Sequence, residues 1–310
     1  MVTALVMAFA VVLDGWLGEP RRYHPLVGFG RLAQGCERYC YGAASLGRRQ
    51  RRGRGVVALV LVVTPFVALA AWIDQLQGWN LLFELGLLYL ALGGHSLVAH
   101  SSAVAMALRA GDLPAAREAV GMIVSRDTSE LDESAISAAA VESVLENGND
   151  AIFGALFWFL LAGAPGVVLF RLVNTLDAMW GYRNERYRDF GWAAARLDDL
   201  LNFIPARLTA LSYALLGQGR RALRCWQRQG RIWKSPNAGP VMAAGAGSLG
   251  LRLGGAAIYH GELQVRPALG EGRLPVVEDI ERANRMVWRA VALWLAAVVG
   301  GALVGEVWRA

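Results

Sequence analysis

The stretch whose reading decides the fold is Ala151–Val173, AIFGALFWFLLAGAPGVVLFRLV. It is long enough to cross a bilayer once, for which about 20 apolar residues suffice. The next segment argues against a single crossing. Asn174–Asn202 is dense with charge, including Arg183, Arg186 and Arg188, and one crossing would carry that arginine-rich segment to the outer side. The sequence Ala162-Gly-Ala-Pro-Gly166 offers another solution. Two short apolar helices joined at a Pro-Gly break can dip in and return to the same side, provided other helices cover the broken backbone. A re-entrant hairpin over 151–173 is therefore expected.

Four other apolar runs surround it, at about 2–17, 55–73, 79–99 and 287–308. The first lacks a basic leader and an A-x-A-like cleavage site and reads as a retained helix. Tryptophans 72, 79, 288 and 308 stand near run ends, as interfacial aromatics do. Arg48, Arg49, Arg51, Arg52 and Arg54 precede the second run, with Arg21 and Arg22 after the first, which assigns that loop to the cytoplasm. Arg282, Arg285 and Arg289 place the start of the last run there too. Of the 310 residues 55% are hydrophobic and only 18% charged, and the mean hydropathy is +0.36. Soluble domains carry about a quarter charged residues. The expected fold is all-α: one polytopic, membrane-embedded domain over 1–310, multi-pass in the inner membrane, with cytoplasmic helices and loops forming the site. Ser235–Pro275, rich in glycine and proline, is expected to hold loops and short helices. No alternating strand pattern stands out.

The net charge of +6 is almost all arginine, and Lys234 is the only lysine. A GxxxxGK phosphate loop has no lysine to use. No nucleic-acid motif is present, which leaves membrane surfaces and anionic small molecules as partners. Three cysteines, Cys36, Cys40 and Cys225, fit no zinc spacing.

Chemistry concentrates in three segments. Ser125–Asp150 reads SRDTSELDESAISAAAVESVLENGND. Ser129 and Asp132 fit a capping box opening a helix. Glu142 and Glu146 share a face of it, with Asn147 and Asp150 extending the polar end, a set able to hold a divalent cation. In Asn174–Asn202, Asn174 and Asp177 lie three apart, and Tyr182–Tyr187 mixes cations, anions and aromatics; arginine forks suit phosphates. In Lys234-Ser-Pro-Asn-Ala-Gly-Pro240 two prolines fix a turn from which Ser235, Asn237 and the lone lysine can reach a site. Gly245-Ala-Gly-Ser-Leu-Gly250 formally matches GxGxxG, but without a preceding strand its glycines read as packing or turn positions.

Together these segments resemble the adenosylcobinamide-phosphate synthase family (CobD/CbiB) of cobalamin biosynthesis. The resemblance rests on LDGWLGEP, HPLVGFG, SRDTSELD, AAVESVLENGND, NTLDAMWGYRNERYRDFGWAAARLDDLLNFIPARL, SPNAGP and GSLGLRLGG, which come in family order and span nearly the whole chain. Ser125 stands where the family often has glycine, and Leu145-Glu-Asn-Gly148 departs from the commoner AENT. The resemblance implies a ligase. It would join a carboxylate of adenosylcobyric acid, a cobalt-bearing corrinoid, to the amine of aminopropanol phosphate or a related amino alcohol, driven by ATP and Mg2+. On that reading Asp127, Glu142, Glu146 and Asp150 are catalytic candidates. Asp132, Glu142 and Glu146 are magnesium candidates. Arg126, Asn147, Asp177, Arg183, Asn184, Arg186, Lys234, Ser235 and Asn237 are candidates to bind substrate or nucleotide. Membrane lipid, other late corrinoid-pathway membrane enzymes and a second copy of the chain are compatible partners. Glu142→Gln is expected to leave insertion intact and abolish turnover.

The competing readings are a non-catalytic scaffold for corrinoid enzymes and a permease for an anionic solute. The permease would need more spans and usually a repeated half, which is not visible. A cysteine placed near Tyr187, in a background without Cys36, Cys40 and Cys225, is expected to be labelled only from the cytoplasmic side. Labelling from outside would eliminate the re-entrant hairpin.

Overall fold

The computed structural model describes residues 1–20, 22, 24–43, 46–76, 80–182, 184–259 and 262–307. The first helices are α1 (Val2–Leu17), α2 (Pro25–Cys40), α3 (Arg48–Asp74), α4 (Asn80–Ala91), α5 (Gly94–Arg109), α6 (Leu113–Gly121) and α7 (Glu133–Gly148). A π-helical turn, Asn149–Phe153, leads into α8 (Gly154–Trp180), followed by α9 (Tyr187–Phe190), α10 (Trp192–Leu201), α11 (Phe203–Leu215), α12 (Gly219–Gln229) and α13 (Ala238–Leu249). Strands β1 (Leu253–Tyr259) and β2 (Glu262–Leu269) precede α14 (Val277–Val307). The protein is a polytopic helical membrane protein. Among the described residues, Arg48–Asp74, Asn80–Arg109, Glu133–Trp180 and Val277–Glu306 are long and apolar enough to cross a membrane, and Val2–Leu17 is a shorter apolar helix.

Two expected boundaries shift. The third run is interrupted at Leu92–Gly93, where α4 stops and α5 begins. The last helix starts at Val277 rather than Val287, because Glu278 and Asp279 suit a first turn electrostatically. Arg21, Trp79 and Trp308 lie outside the described residues.

The chain forms two compact units. One comprises Val2–Gly93 and Gly154–Asn202. Its central device is α8, which is two helices joined at a break. Ala162 (φ −141°, ψ 19°) and Gly163 (φ 58°, ψ −147°) leave helical geometry, and the second of these conformations is one that glycine adopts readily. The arms fold back on each other. A Cβ at Gly154 would run into the Phe170 ring, and one at Gly166 would strike the Trp158 carbonyl oxygen. In a straight helix residues 154 and 170 would stand about 24 Å apart. The break therefore falls inside the Ala162–Gly166 stretch that the sequence marked.

The second arm is longer than a shallow dip requires. Its start, at Gly163, lies beside Asp74 at the end of α3. At the opposite end, Gly191 sits flush on the Trp180 backbone and Gly55 on the Phe190 backbone. The second arm thus runs antiparallel to α3 along most of its length. Asp189 pairs with Arg48 at 3.0 Å and Arg52 at 3.1 Å, so the charged segment after α8 and the arginines opening α3 share one end of this unit.

The other unit comprises Met1, Gly94–Phe153 and Phe203–Ala310. At its centre lies α7, with residues Ile136, Ala139, Ala140, Val141, Val144 and Leu145 all buried. Phe153 packs against Trp294 and Tyr213 (ring centroids 5.1 and 6.3 Å), and the Tyr213 hydroxyl donates to the Leu145 carbonyl at 3.2 Å. Helix α13 is buried along almost its whole length. Its glycines serve close packing: Gly245 faces Leu145, Gly247 faces Ala222 and Cys225, and Gly250 closes the helix in the left-handed conformation.

The antiparallel β1–β2 hairpin is a correction to the loops and short helices expected there. Gly254 and Gly255 take positive φ (83° and 87°), and the register slips between Leu253 and Gly255. That bulge, with two adjacent glycines, hides the period-two pattern.

Gly166→Leu is expected to cost about 1–3 kcal/mol by overpacking, read as a lowered Tm of the detergent-purified chain. Gly86→Ala, where a Cβ meets nothing within 4 Å, serves as the neutral control. Equal melting of the two variants would refute the close crossing of the arms.

Candidate functional site

The residues singled out before α7 and on it come together in one unit. Asp132 caps α7, its Oδ1 accepting from the Ala135 amide at 2.7 Å. This moves the helix start to Glu133, about one turn beyond the expected Thr128 or Ser129. The same bond engages Asp132 in capping, where a metal-binding role was expected. Asp127 lies on an exposed turn, accepting from the Ser129 amide at 2.9 Å. That bond holds its carboxyl below the usual aspartate range.

Glu142 is the centre of the cluster. It is 4% exposed, and its two oxygens are met from three directions. Arg126, in the loop before α7, donates to Oε2. Arg266, on β2, donates through Nη1 to Oε2 at 2.9 Å and through Nη2 to Oε1 at 3.3 Å. The Gly254 amide on β1 donates to Oε1 at 2.8 Å. Both arginine side chains are themselves 8% exposed or less. The expectation for Glu142 was a catalytic or metal-binding carboxylate. Its oxygens instead hold two guanidinium groups and a backbone amide. The helix that carries it is enclosed by its neighbours, so Glu142 meets arginines brought from distant segments. Among the described residues, no group of three His, Cys, Asp or Glu is placed to hold a metal.

Two buried guanidinium groups against Glu142 leave one positive charge in excess. Glu146, one turn on, lies within electrostatic reach of Glu142, Arg126 and Arg266. Asn147 is tied to its own helix, donating to the Ser143 carbonyl and hydroxyl at 2.9 Å each. Asp150 sits on the π-helical turn, where it accepts from the Asn149 amide group at 2.9 Å. Asn149 in turn accepts from Thr209 at 3.1 Å.

The lone lysine lies beside this cluster. Gln264 and Arg266 are two apart on β2 and share a face. Gln264 accepts from Lys234 Nζ at 2.6 Å, and Arg266 stacks over Trp233 with its guanidinium 5.4 Å from the ring centroid. Ser235 accepts from the amides of Asn237 and Ala238 at 3.3 and 3.1 Å, bracing the chain at the start of α13, whose N-cap residue is Asn237. Asn237 accepts from Arg207 Nη1 at 2.6 Å, while Nη2 of Arg207 reaches the Pro236 carbonyl at 3.1 Å. Burial lowers the pKa of Arg207 from its usual value.

The remaining candidates belong to the other unit. Arg186 donates twice to Glu37 Oε1, at 2.9 and 2.6 Å, which raises its pKa. Asn184 accepts from the Tyr187 amide at 2.9 Å. Asp177 lies against Gly181 at the end of α8. Arg183 lies outside the described residues.

The CobD/Cbib protein family matches residues 7–287. The chain belongs to this family. A cobalamin biosynthesis protein CobD of Stutzerimonas stutzeri is 60% identical over 292 residues, covering 94% of this chain and 95% of the relative. A CobD of Chromobacterium violaceum is 56% identical over 307 residues, 98% of each chain, and one of Mycobacterium tuberculosis is 40% identical over 306 residues, 96% of each. No solved structure matches the chain.

Arg266, Arg207, Trp233 and Glu37 were missed by sequence reasoning. The signal at Arg266 is inverted: Val265 is 84% exposed and Arg266 9% exposed, the reverse of apolar-in, charged-out alternation. Glu142→Gln should do more than stop turnover. It leaves two buried guanidinium groups facing a neutral amide, at a cost of about 3–5 kcal/mol. A clear fall in Tm is expected, and a Tm equal to the parent chain's would mean the three residues do not form the buried cluster in solution.

Proposed function

We propose that this CobD/CbiB-family chain is a membrane-bound ligase of cobalamin biosynthesis. It joins a propionate carboxylate of adenosylcobyric acid to the amine of aminopropanol phosphate, giving adenosylcobinamide phosphate. Family membership supports the pathway. The observation that carries the chemistry is the desolvated Arg126–Glu142–Arg266 cluster with Lys234, in the loop before α13, bonded to Gln264 on the adjoining strand face, a surplus of positive charge suited to anionic reactants.

A carboxylate is a poor electrophile until it is activated. In the proposed reaction its oxygen takes the γ-phosphoryl group of ATP, releasing ADP. The amine nitrogen then attacks the acyl carbon, the C–O bond to phosphate breaks, and inorganic phosphate leaves. An ammonium loses one proton to become the attacking amine and a second as the amide forms, and Glu146, Asp150 and Asp127 are the carboxylates proposed to take them. Positioning supplies much of the acceleration when reactants are held together. Lys234, Arg126 and Arg266 are proposed to hold phosphate and carboxylate oxygens, with Ser235, Asn237 and Asn147 shaping the loop and helix around them. Asp177, Arg183, Asn184 and Arg186 are proposed as further binding residues. The described carboxylates do not fit a protein-built magnesium cage, and magnesium commonly rides on nucleotide phosphates. The Glu142 cluster and Lys234 are proposed to face the cytoplasm, where ATP is found, with the chain in the inner membrane.

Purified chain given ATP, magnesium, adenosylcobyric acid and aminopropanol phosphate should form ADP and the amide together. Lys234→Ala should raise KM for a phosphate-bearing substrate roughly tenfold or more, the worth of one charge-assisted hydrogen bond, with a smaller change in kcat. Substrate binding without ADP or amide would favour the scaffold reading. Uptake into vesicles without ATP turnover would favour the permease.

A further inference from the structure

A second basic site lies away from the Glu142 cluster, in an open groove of about 500 Å3 between α5 and α14. The two helices run antiparallel. Arg109 pairs with Glu281 at 2.7 Å near one end, and Asn284 donates to the Ser101 hydroxyl at 2.9 Å further along. Arg285 and Arg289, four apart on α14, line the groove with Trp288, and Val98 and Ala292 close its far end. Glu281 is the one acid in this lining. Its carboxylate is engaged by Arg109 and reaches Arg285 only at 3.7 Å. The groove therefore carries net positive charge at the Glu281–Arg289 end and is apolar at the Val98–Ala292 end. From residue 281 to 292 this gradient covers about 16 Å of helix.

Both helices belong to runs long and apolar enough to cross a membrane. Arginines beside a half-buried tryptophan at the head of such a run stand where a bilayer presents its headgroups, and the apolar end stands where acyl chains begin. We propose that this groove binds an anionic phospholipid, its phosphate held by Arg285 and Arg289 and the start of an acyl chain lying along Val98, Trp288 and Ala292. The site is separate from the residues proposed for ligase chemistry, so its occupancy and the catalytic reading can fail independently.

The test uses the delipidated full chain in detergent, titrated with phosphatidylglycerol or phosphatidylcholine and read by native mass spectrometry. Each arginine near an anionic headgroup is worth roughly fivefold in affinity, so the parent chain should prefer phosphatidylglycerol by about tenfold or more. Arg285→Gln/Arg289→Gln should abolish that preference, and Arg285→Lys/Arg289→Lys, which keeps the charge, should retain most of it. Equal binding of both lipids by the parent chain would overturn the proposal, as would a preference unchanged in the glutamine variant. Displacement of phosphatidylglycerol by an equal concentration of inorganic phosphate would assign the arginines to a soluble anion and overturn it as well.

Discussion

A single carboxylate buried between two guanidinium groups organises the unit that carries most of the candidate site. Removing Glu142, Arg126 and Arg266 from water is costly, and the cost is offset only when every donor and acceptor is matched. Here the match is drawn from three places in the chain: the loop before α7, α7 itself and the β1–β2 hairpin. An arrangement without Glu142 strands two buried guanidinium groups. The hairpin also packs on α12 and α13 through buried Leu253 and Leu269, and Gly270 just beyond it exchanges two hydrogen bonds with Gln229 of α12. The ion cluster, with Arg266 over Trp233, adds a polar anchor beside Lys234 and Gln264.

The second unit solves a different problem. Its apolar run at α8 is followed at once by charged residues, and the chain has to bring them to the end of the unit where Arg48 and Arg52 wait for Asp189. Reversal at Gly163 does this. Because Gly154 and Gly166 have no side chain, the arms can approach until ring and carbonyl touch backbone, which maximises dispersion contacts where water offers no driving force.

Much of this was legible in the sequence. The apolar runs, the arginine loop and the Pro-Gly break follow from composition and local conformational preference, which act over a few residues. Family membership was legible too, because motifs are local strings. The partners of Glu142 were not. An acidic pair four apart on a helix looks the same whether it faces water, a cation or arginine. The difference lies in Arg266, 124 residues away along the chain, on a strand whose alternation is inverted and masked by two glycines. Asp132 shows the milder case: its place near a helix start was readable, but that it is the capping residue is fixed only by the Ala135 amide at 2.7 Å.

The reversal at Gly163 also acts as a ruler. One residue added to either arm of α8 would turn every side chain beyond it by about 100° and slide it about 1.5 Å. Gly154 would then no longer face Phe170, nor Gly166 the Trp158 carbonyl, and bulkier residues would arrive in their places. The arms are thus fixed in length as well as in composition.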